Sequence, residues 1–231
     1  MKTIGLLGGM SWESSIEYYR IINETIRVRL GGLHSAASIM VSVDFADIET
    51  IQREGRWDDA AQLLIFAARQ AQRGGADLLL LCTNTMHKVA GQIQSAVDIP
   101  LLHIADPTAA VIRAQELHCI GLLGTRFTME EGFYKDRLIQ KHGLDVLIPP
   151  EGDREVIHHV IYDELVLGNI LPDSRSRYLE IIQRLAARGA QGIILGCTEI
   201  GLLVKPSDTD VPLFDTTKIH AVAAVDLALK G

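Results

Sequence analysis

The chain has 231 residues, 48% of them hydrophobic, and a formal net charge of −7 at pH 7. That length can bury a substantial core as one large or two small domains, and the negative balance argues against nucleic acid as a partner, because phosphate binding needs a clustered basic surface. No apolar stretch approaches the roughly 20 residues of a membrane span, the amino terminus lacks a signal-peptide pattern, and three cysteines without a framework suit a reduced, cytoplasmic protein.

In chain order, a strand over residues 3–7 runs into Gly8-Gly9-Met10-Ser11, where Ser11 is a good N-cap for a helix closing at Gly31-Gly32. The glycine spacing fits neither the dinucleotide nor the P-loop pattern, so it reads as a tight turn that brings backbone N–H groups to the mouth of a site. A second strand, 38–43, ends in Asp44-Phe45-Ala46-Asp47, and a loop with short helical pieces then carries Gln52 and Arg53. A helix follows over 57–73. The four leucines 78–81, without alternation, read as a strand buried on both faces. It ends in Cys82-Thr83-Asn84-Thr85. In open α/β sheets ligands bind outside the strand carboxyl ends, so these small polar residues stand where chemistry is expected.

A helix over 86–96 comes next, with its amino end at the motif and its N–H groups favouring an anionic ligand group. Residues 99–104 read as a strand and 106–117 as a helix. The second half repeats the plan: a strand at 119–123, a helix through GTRFTMEEGFYKDRL ending near Gly143, a short strand at 144–148, and helices over 153–167 and 174–187. A strand at 192–195 then delivers Gly196-Cys197-Thr198-Glu199. A last strand, 212–214, leads into a closing helix to Lys230, expected to pack on the first half.

An internal repeat underlies this order. Placing Gly75-Ala76 on Gly189-Ala190 sets Cys82 opposite Gly196, Thr83 opposite Cys197, Asn84 opposite Thr198 and Thr85 opposite Glu199. Ile4-Gly5-Leu6-Leu7-Gly8 recurs as Ile120-Gly121-Leu122-Leu123-Gly124, and Asp98-Ile99-Pro100-Leu101 as Asp210-Val211-Pro212-Leu213. The expected fold is therefore α/β: two pseudo-symmetric parallel-sheet domains related by duplication, residues 1–98 with 211–231 and residues 99–210. A site between them would receive one side chain from each equivalent position.

Cys197, at a strand end that opens a turn or helix, is a candidate thiolate, since a helix N-terminus lowers a thiol pKa from about 8.5. Successive strand side chains point to opposite faces, so only one of Cys82 and Thr83 can match Cys197. The repeat selects Thr83 and leaves Cys82 as packing. Cys119, at the start of a strand, is structural. His87 and His103 read as structural hydrogen-bonding groups, Trp12 and Trp57 as packing or interface residues.

LLLLCTNTMH followed by IILGCTEI resembles the signature pair of the aspartate/glutamate racemase family, with IGLLGGM, GLLGT and PLFDTTKIHA in support. The resemblance covers nearly the whole chain. It implies two pseudo-symmetric α/β domains that racemise a small-molecule amino acid without pyridoxal phosphate, as a homodimer; the residues themselves offer no metal-ligand cluster. The family has a cysteine before the Asn-Thr of its first signature and another before the Thr-Glu of its second. Cys197 matches; in the first slot stands Thr83, with Cys82 one place early. Racemisation needs an acid and a base flanking the α-carbon, so the resemblance implies Cys197 and Thr83 as the pair. Asn84, Thr85 and Thr198 then form the carboxylate clamp, with Met10 as a backbone contact. The family's usual Arg after the second strand and Lys in the IYxE-type helix have no counterpart here; Gln52 or Arg53 stands in for the Arg, with Gln52 preferred because it also serves neutral polar side chains, which extends the expected range from aspartate and glutamate to neutral polar amino acids. Single-cysteine decarboxylases, hydantoin racemases and maleate isomerases share the plan. A non-catalytic amino-acid-binding domain is the alternative from another class.

Overall fold

The computed structural model describes residues 1–230. Two compact units form, Met1–Ile104 together with the chain from His220 onward, and Ala105–Ile219.

In the first unit, β1 (Ile4–Gly8) leads into α1 (Trp12–Leu30), whose N-cap is Ser11 and whose C-cap is Gly31 at φ 76°. Then come β2 (Ser38–Ser42), α2 (Phe45–Arg53), α3 (Trp57–Arg73) and β3 (Leu78–Leu81). A 3-10 turn, Thr85–Val89, and α4 (Ala90–Gln94) complete this part. The strands pair in parallel in the order β2-β1-β3. Side chains of β3 divide between two cores as a pleated strand requires. Leu79 and Leu81 join Leu7 against α2, α3 and α4, while Leu78, Leu80 and Cys82 join Ile4 and Leu6 against α1.

The second unit opens with α5 (Ala105–Ala114) and β4 (Cys119–Gly124) and continues with the short helices α6 (Arg126–Glu130) and α7 (Gly132–Asp136). After them come β5 (Asp145–Leu147), α8 (Glu151–Asp163), α9 (Pro172–Ala187), β6 (Ile193–Gly196), α10 (Ile200–Leu203) and β7 (Leu213–Asp215). Its four strands are also parallel, in the order β5-β4-β6-β7. The closing helix α11 (Thr216–Leu229) begins here, and beyond His220 its Ala221, Ala224, Val225 and Ala228 pack on the α1 side of the first sheet.

Several elements differ from the sequence expectation. The helix expected over 86–96 is the 3-10 turn Thr85–Val89 followed by the short α4, and the helix expected over 153–167 ends as α8 at Asp163, before a 3-10 turn at Leu165–Leu167. The strand expected at 99–104 is a single parallel bridge between Leu79 and Leu101, in which Leu79 donates to the Pro100 carbonyl and Leu102 donates to that of Leu79. Pro100 has no N–H to extend the ladder. The helix expected up to Gly143 is broken at Glu131, which is extended (φ −82°, ψ 153°), and ends in a π-type turn, Arg137–Lys141. The segment after β2 is a continuous helix, capped by Asp44, whose side chain accepts from the Ala46 N–H at 3.0 Å.

Duplication also shows in the packing under each sheet. A Cβ on Gly5 would stand 2.7 Å from Leu79 Cδ2 and 2.9 Å from Ala76 Cβ, and one on Gly121 2.5 Å from Ile193 Cδ1 and 3.6 Å from Ala190 Cβ. Both glycines let the first strand approach the third across the same pair of positions. Overpacking such a contact costs about 1–3 kcal/mol. Gly121→Ala should therefore lower unfolding free energy by about that amount in urea titration; a change within a few tenths of a kcal/mol would show that the contact is slack.

Candidate active site

Register fixes what each sheet presents at its carboxyl end. Leu7 pairs with Leu81, and Cys82 donates its N–H to the Leu7 carbonyl at 2.9 Å. In the second sheet Leu123 pairs with Leu195 and Gly124 with Gly196. Cys82 and Gly196 are thus the last residues of their ladders, and Thr83 and Cys197 are the first residues beyond. Cys82 is wholly buried in the α1 core, and burial alone pushes its thiol far above the ordinary range. It behaves as a small hydrophobe.

In the first unit the mouth is built by the glycine turn and the turn after β3. Gly9 adopts φ +88°, and a Cβ there would collide with the Val43 carbonyl oxygen, so only glycine brings Met10 to this edge. Two buried serines that the sequence reading did not single out secure the turn. Ser15 Oγ accepts from the Gly9 N–H at 2.8 Å and contacts the Ser11 carbonyl at 3.0 Å, and Ser14 Oγ donates to the Cys82 carbonyl at 2.6 Å. The signal available was the Ser-Ser pair just past an N-cap, where hydroxyls commonly satisfy turn carbonyls. Thr83, Asn84 and Thr85 are all buried at this mouth. Gln52, buried on α2, places Nε2 2.9 Å from Met86 Sδ. Arg53 is a surface side chain, 68% exposed, 3.9 Å from Glu49.

In the second unit, Cys197 and Thr198 are partly buried and Glu199 is buried. The Cys197 thiol donates to Glu199 Oε2 at 2.9 Å, and Thr198 Oγ1 donates to the same oxygen at 2.5 Å. Desolvation, followed by the negative charge of Glu199, pushes the Cys197 pKa well above that of an ordinary thiol, against the smaller opposing pull of the Thr198 and Glu199 N–H groups. This reverses the expectation of a helix-activated thiolate. The helix that follows, α10, spans only four residues, and a carboxylate in contact with sulfur outweighs its dipole. The thiol therefore holds its proton in a hydrogen bond to the carboxylate.

Met10, Gln52, Thr83, Asn84 and Thr85 belong to the first unit, Cys197 and Thr198 to the second. No set of three His, Cys, Asp or Glu side chains among the described residues is arranged to hold a metal ion, and no helix among them is long and apolar enough to cross a membrane.

Twin parallel sheets, each ending in a small polar turn, define a class that the comparisons identify. The model of the family described as Asp/Glu/Hydantoin racemase matches residues 7–224, and the chain belongs to that family of amino acid racemases. It is 56% identical to a candidate Asp/Glu racemase from Yersinia pestis, with 99% of this chain and 100% of that one covered at a TM-score of 0.93. Identity to an aspartate racemase homologue from Pyrococcus horikoshii is 33%, with the same coverage and a TM-score of 0.86. It is also similar to the broad specificity amino-acid racemase RacX of Bacillus subtilis, 24% identical over 179 residues and 74% of each chain.

The influence of the carboxylate on the thiol can be tested directly. Glu199→Gln removes the negative charge beside sulfur, so the pH midpoint for alkylation of Cys197 should move downward from that of the parent. An unchanged or higher midpoint would show that the carboxylate does not govern the thiol.

Proposed function

We propose that this protein racemises aspartate and glutamate, and accepts neutral polar amino acids as well, without pyridoxal phosphate, using Cys197 and Thr83 on opposite faces of the α-carbon. The observation that supports the reading is the equivalence in register of Thr83 and Cys197, each two residues past the leucine, Leu81 or Leu195, that pairs with the equivalent Leu7 or Leu123 of the first strand.

The chemistry follows from the groups present. Glu199 takes the Cys197 proton, and the resulting thiolate removes the α-proton of the enantiomer presented to it, becoming a thiol again. The carbanion shifts its charge into the substrate carboxylate, where Asn84, Thr85, Thr198 and turn N–H groups, including the one at Met10, stabilise it. Thr83 returns a proton to the opposite face. Because an alcohol is far less acidic than a thiol, a water relays a proton from solvent through its hydroxyl, and Glu199 releases the thiol proton to solvent to close the cycle. Passing the thiol proton to Glu199 first avoids two adjacent negative charges, which is how a thiol of raised pKa can still serve as a base. Gln52 offers an amide, which can hydrogen-bond a side-chain carboxylate or a neutral polar group. The name of the Bacillus subtilis relative, a broad specificity racemase, agrees with this range. Homodimeric assembly in the cytoplasm accompanies the reading through the family resemblance.

Incubation of L- and D-amino acids in deuterated water tests the proposal. Exchange at the α-carbon should be strongly unequal for the two enantiomers, and Cys197→Ala should lower the faster rate by about 100-fold or more. Equal rates would contradict the assigned asymmetry; absence of exchange with every amino acid tried would reject racemisation.

A further inference from the structure

His87 has both ring nitrogens committed in directions that fix its tautomer. The Ile104 N–H donates to Nε2 at 3.1 Å, so Nε2 is an acceptor. Nδ1 lies 2.8 Å from the Thr83 carbonyl oxygen and must carry the proton. The ring is buried, and the rings of His103 and His220 stand 4.6 and 5.8 Å away, centroid to centroid. His220 Nδ1 lies 2.8 Å from the Tyr18 hydroxyl and its Nε2 lies 2.8 Å from the Leu102 carbonyl.

The backbone explains why a ring is needed. In an α-helical turn the N–H of residue 87 would donate to the carbonyl of residue 83. Here it donates to Asn84 at 3.1 Å, in the tighter 3-10 pattern, and that bond leaves the Thr83 carbonyl without a backbone N–H from residue 87. A buried carbonyl needs a donor, and the His87 side chain folds back to supply it. The equivalent turn in the second unit has no such device. There the Cys197 carbonyl takes the Ile200 N–H at 3.2 Å, and Gly201 occupies the position of His87.

We propose that His87 is a positioning residue for Thr83: its Nδ1–H holds the 3-10 turn that aims the Thr83 hydroxyl, while its Nε2 ties that turn to Ile104, the last residue before the second unit. This rests on the reading of Thr83 as the acid–base group opposite Cys197. Losing the Nδ1–H donor lets the turn relax toward the α-helical pattern, in which the backbone N–H of residue 87 claims the Thr83 carbonyl and the side chains at 83 and 84 rotate.

Two substitutions separate the two ring contacts, because an Asn side chain reaches where Nδ1 lies and a Gln side chain where Nε2 lies. His87→Gln should slow α-deuterium exchange of the enantiomer served by Thr83 about tenfold to hundredfold, and leave α-exchange of the enantiomer served by Cys197 near the parent rate. His87→Asn should keep most of the Thr83-dependent rate. Equal losses of α-exchange for the two enantiomers in His87→Gln, or a folded His87→Gln with parent exchange rates, would overturn the proposal. Thr83→Ala, measured alongside, tests the underlying reading: if it leaves both exchange rates unaltered, the role of Thr83 falls. Ring nitrogen shifts of the parent protein stand apart from activity and from the folding of any variant. They should report the Nδ1–H tautomer at His87, and the Nε2–H tautomer would overturn the proposal on its own.

Discussion

The parallel register between the first and third strand of each sheet is the constraint on which the rest depends. Leu7 opposite Leu81, and Leu123 opposite Leu195, decide which residue is last in the ladder and which is first beyond it. A slip by one residue would exchange the two faces of a strand, burying Thr83 where Cys82 packs against Tyr18 and Ile22 and turning the thiol to the mouth. The register is well defended. Each Leu or Ile of these strands that is withdrawn from water contributes roughly 1.5–3 kcal/mol, and Leu78 to Leu81 divide strictly between two separate cores. Gly5 and Gly121 reinforce it from below, since a larger residue would push the first strand off the third.

On that frame the two halves have diverged in a consistent way. The second unit keeps a thiol with a carboxylate in contact, Cys197 and Glu199. The first has Thr83 and Thr85 at the equivalent positions, so it lacks both the acidic hydrogen and the group that would receive it. What it has instead is a turn held by a histidine ring and two serine hydroxyls. One half thus carries a thiol hydrogen-bonded to a carboxylate while the other offers a hydroxyl. The inequality proposed for α-exchange of the two enantiomers would be the chemical expression of that divergence.

Much of the architecture was legible in the residues. Unalternating apolar runs at 78–81 and 193–195, glycines after the first strands and a repeat near 114 residues together specify two parallel sheets. Ser11 and Asp44 are caps by residue type as well as by geometry. Legibility stopped where a single residue decides between neighbouring structures. Pro100 reduces an expected strand to one bridge, and an extended Glu131 divides an expected helix. Contacts within the mouths were less visible still. Nothing in the string Cys-Thr-Glu says that both hydrogens point at one carboxylate oxygen, and burial of the thiol, together with that carboxylate, reverses the pKa direction that a helix N-terminus alone would give. Likewise, the direction of proton donation at His87 depends on an N–H seventeen residues away in sequence.

The central claim is that position 83, not 82, is the counterpart of position 197. Thr83→Cys tests it most directly, because it places a thiol in the slot that the register assigns while leaving Cys82 in its core. With α-deuterium exchange followed from both enantiomers, the account predicts that the slower direction accelerates and the two rates converge, without a change in the Cys197-dependent rate. A ratio that stays as in the parent, in a folded Thr83→Cys protein, would contradict it.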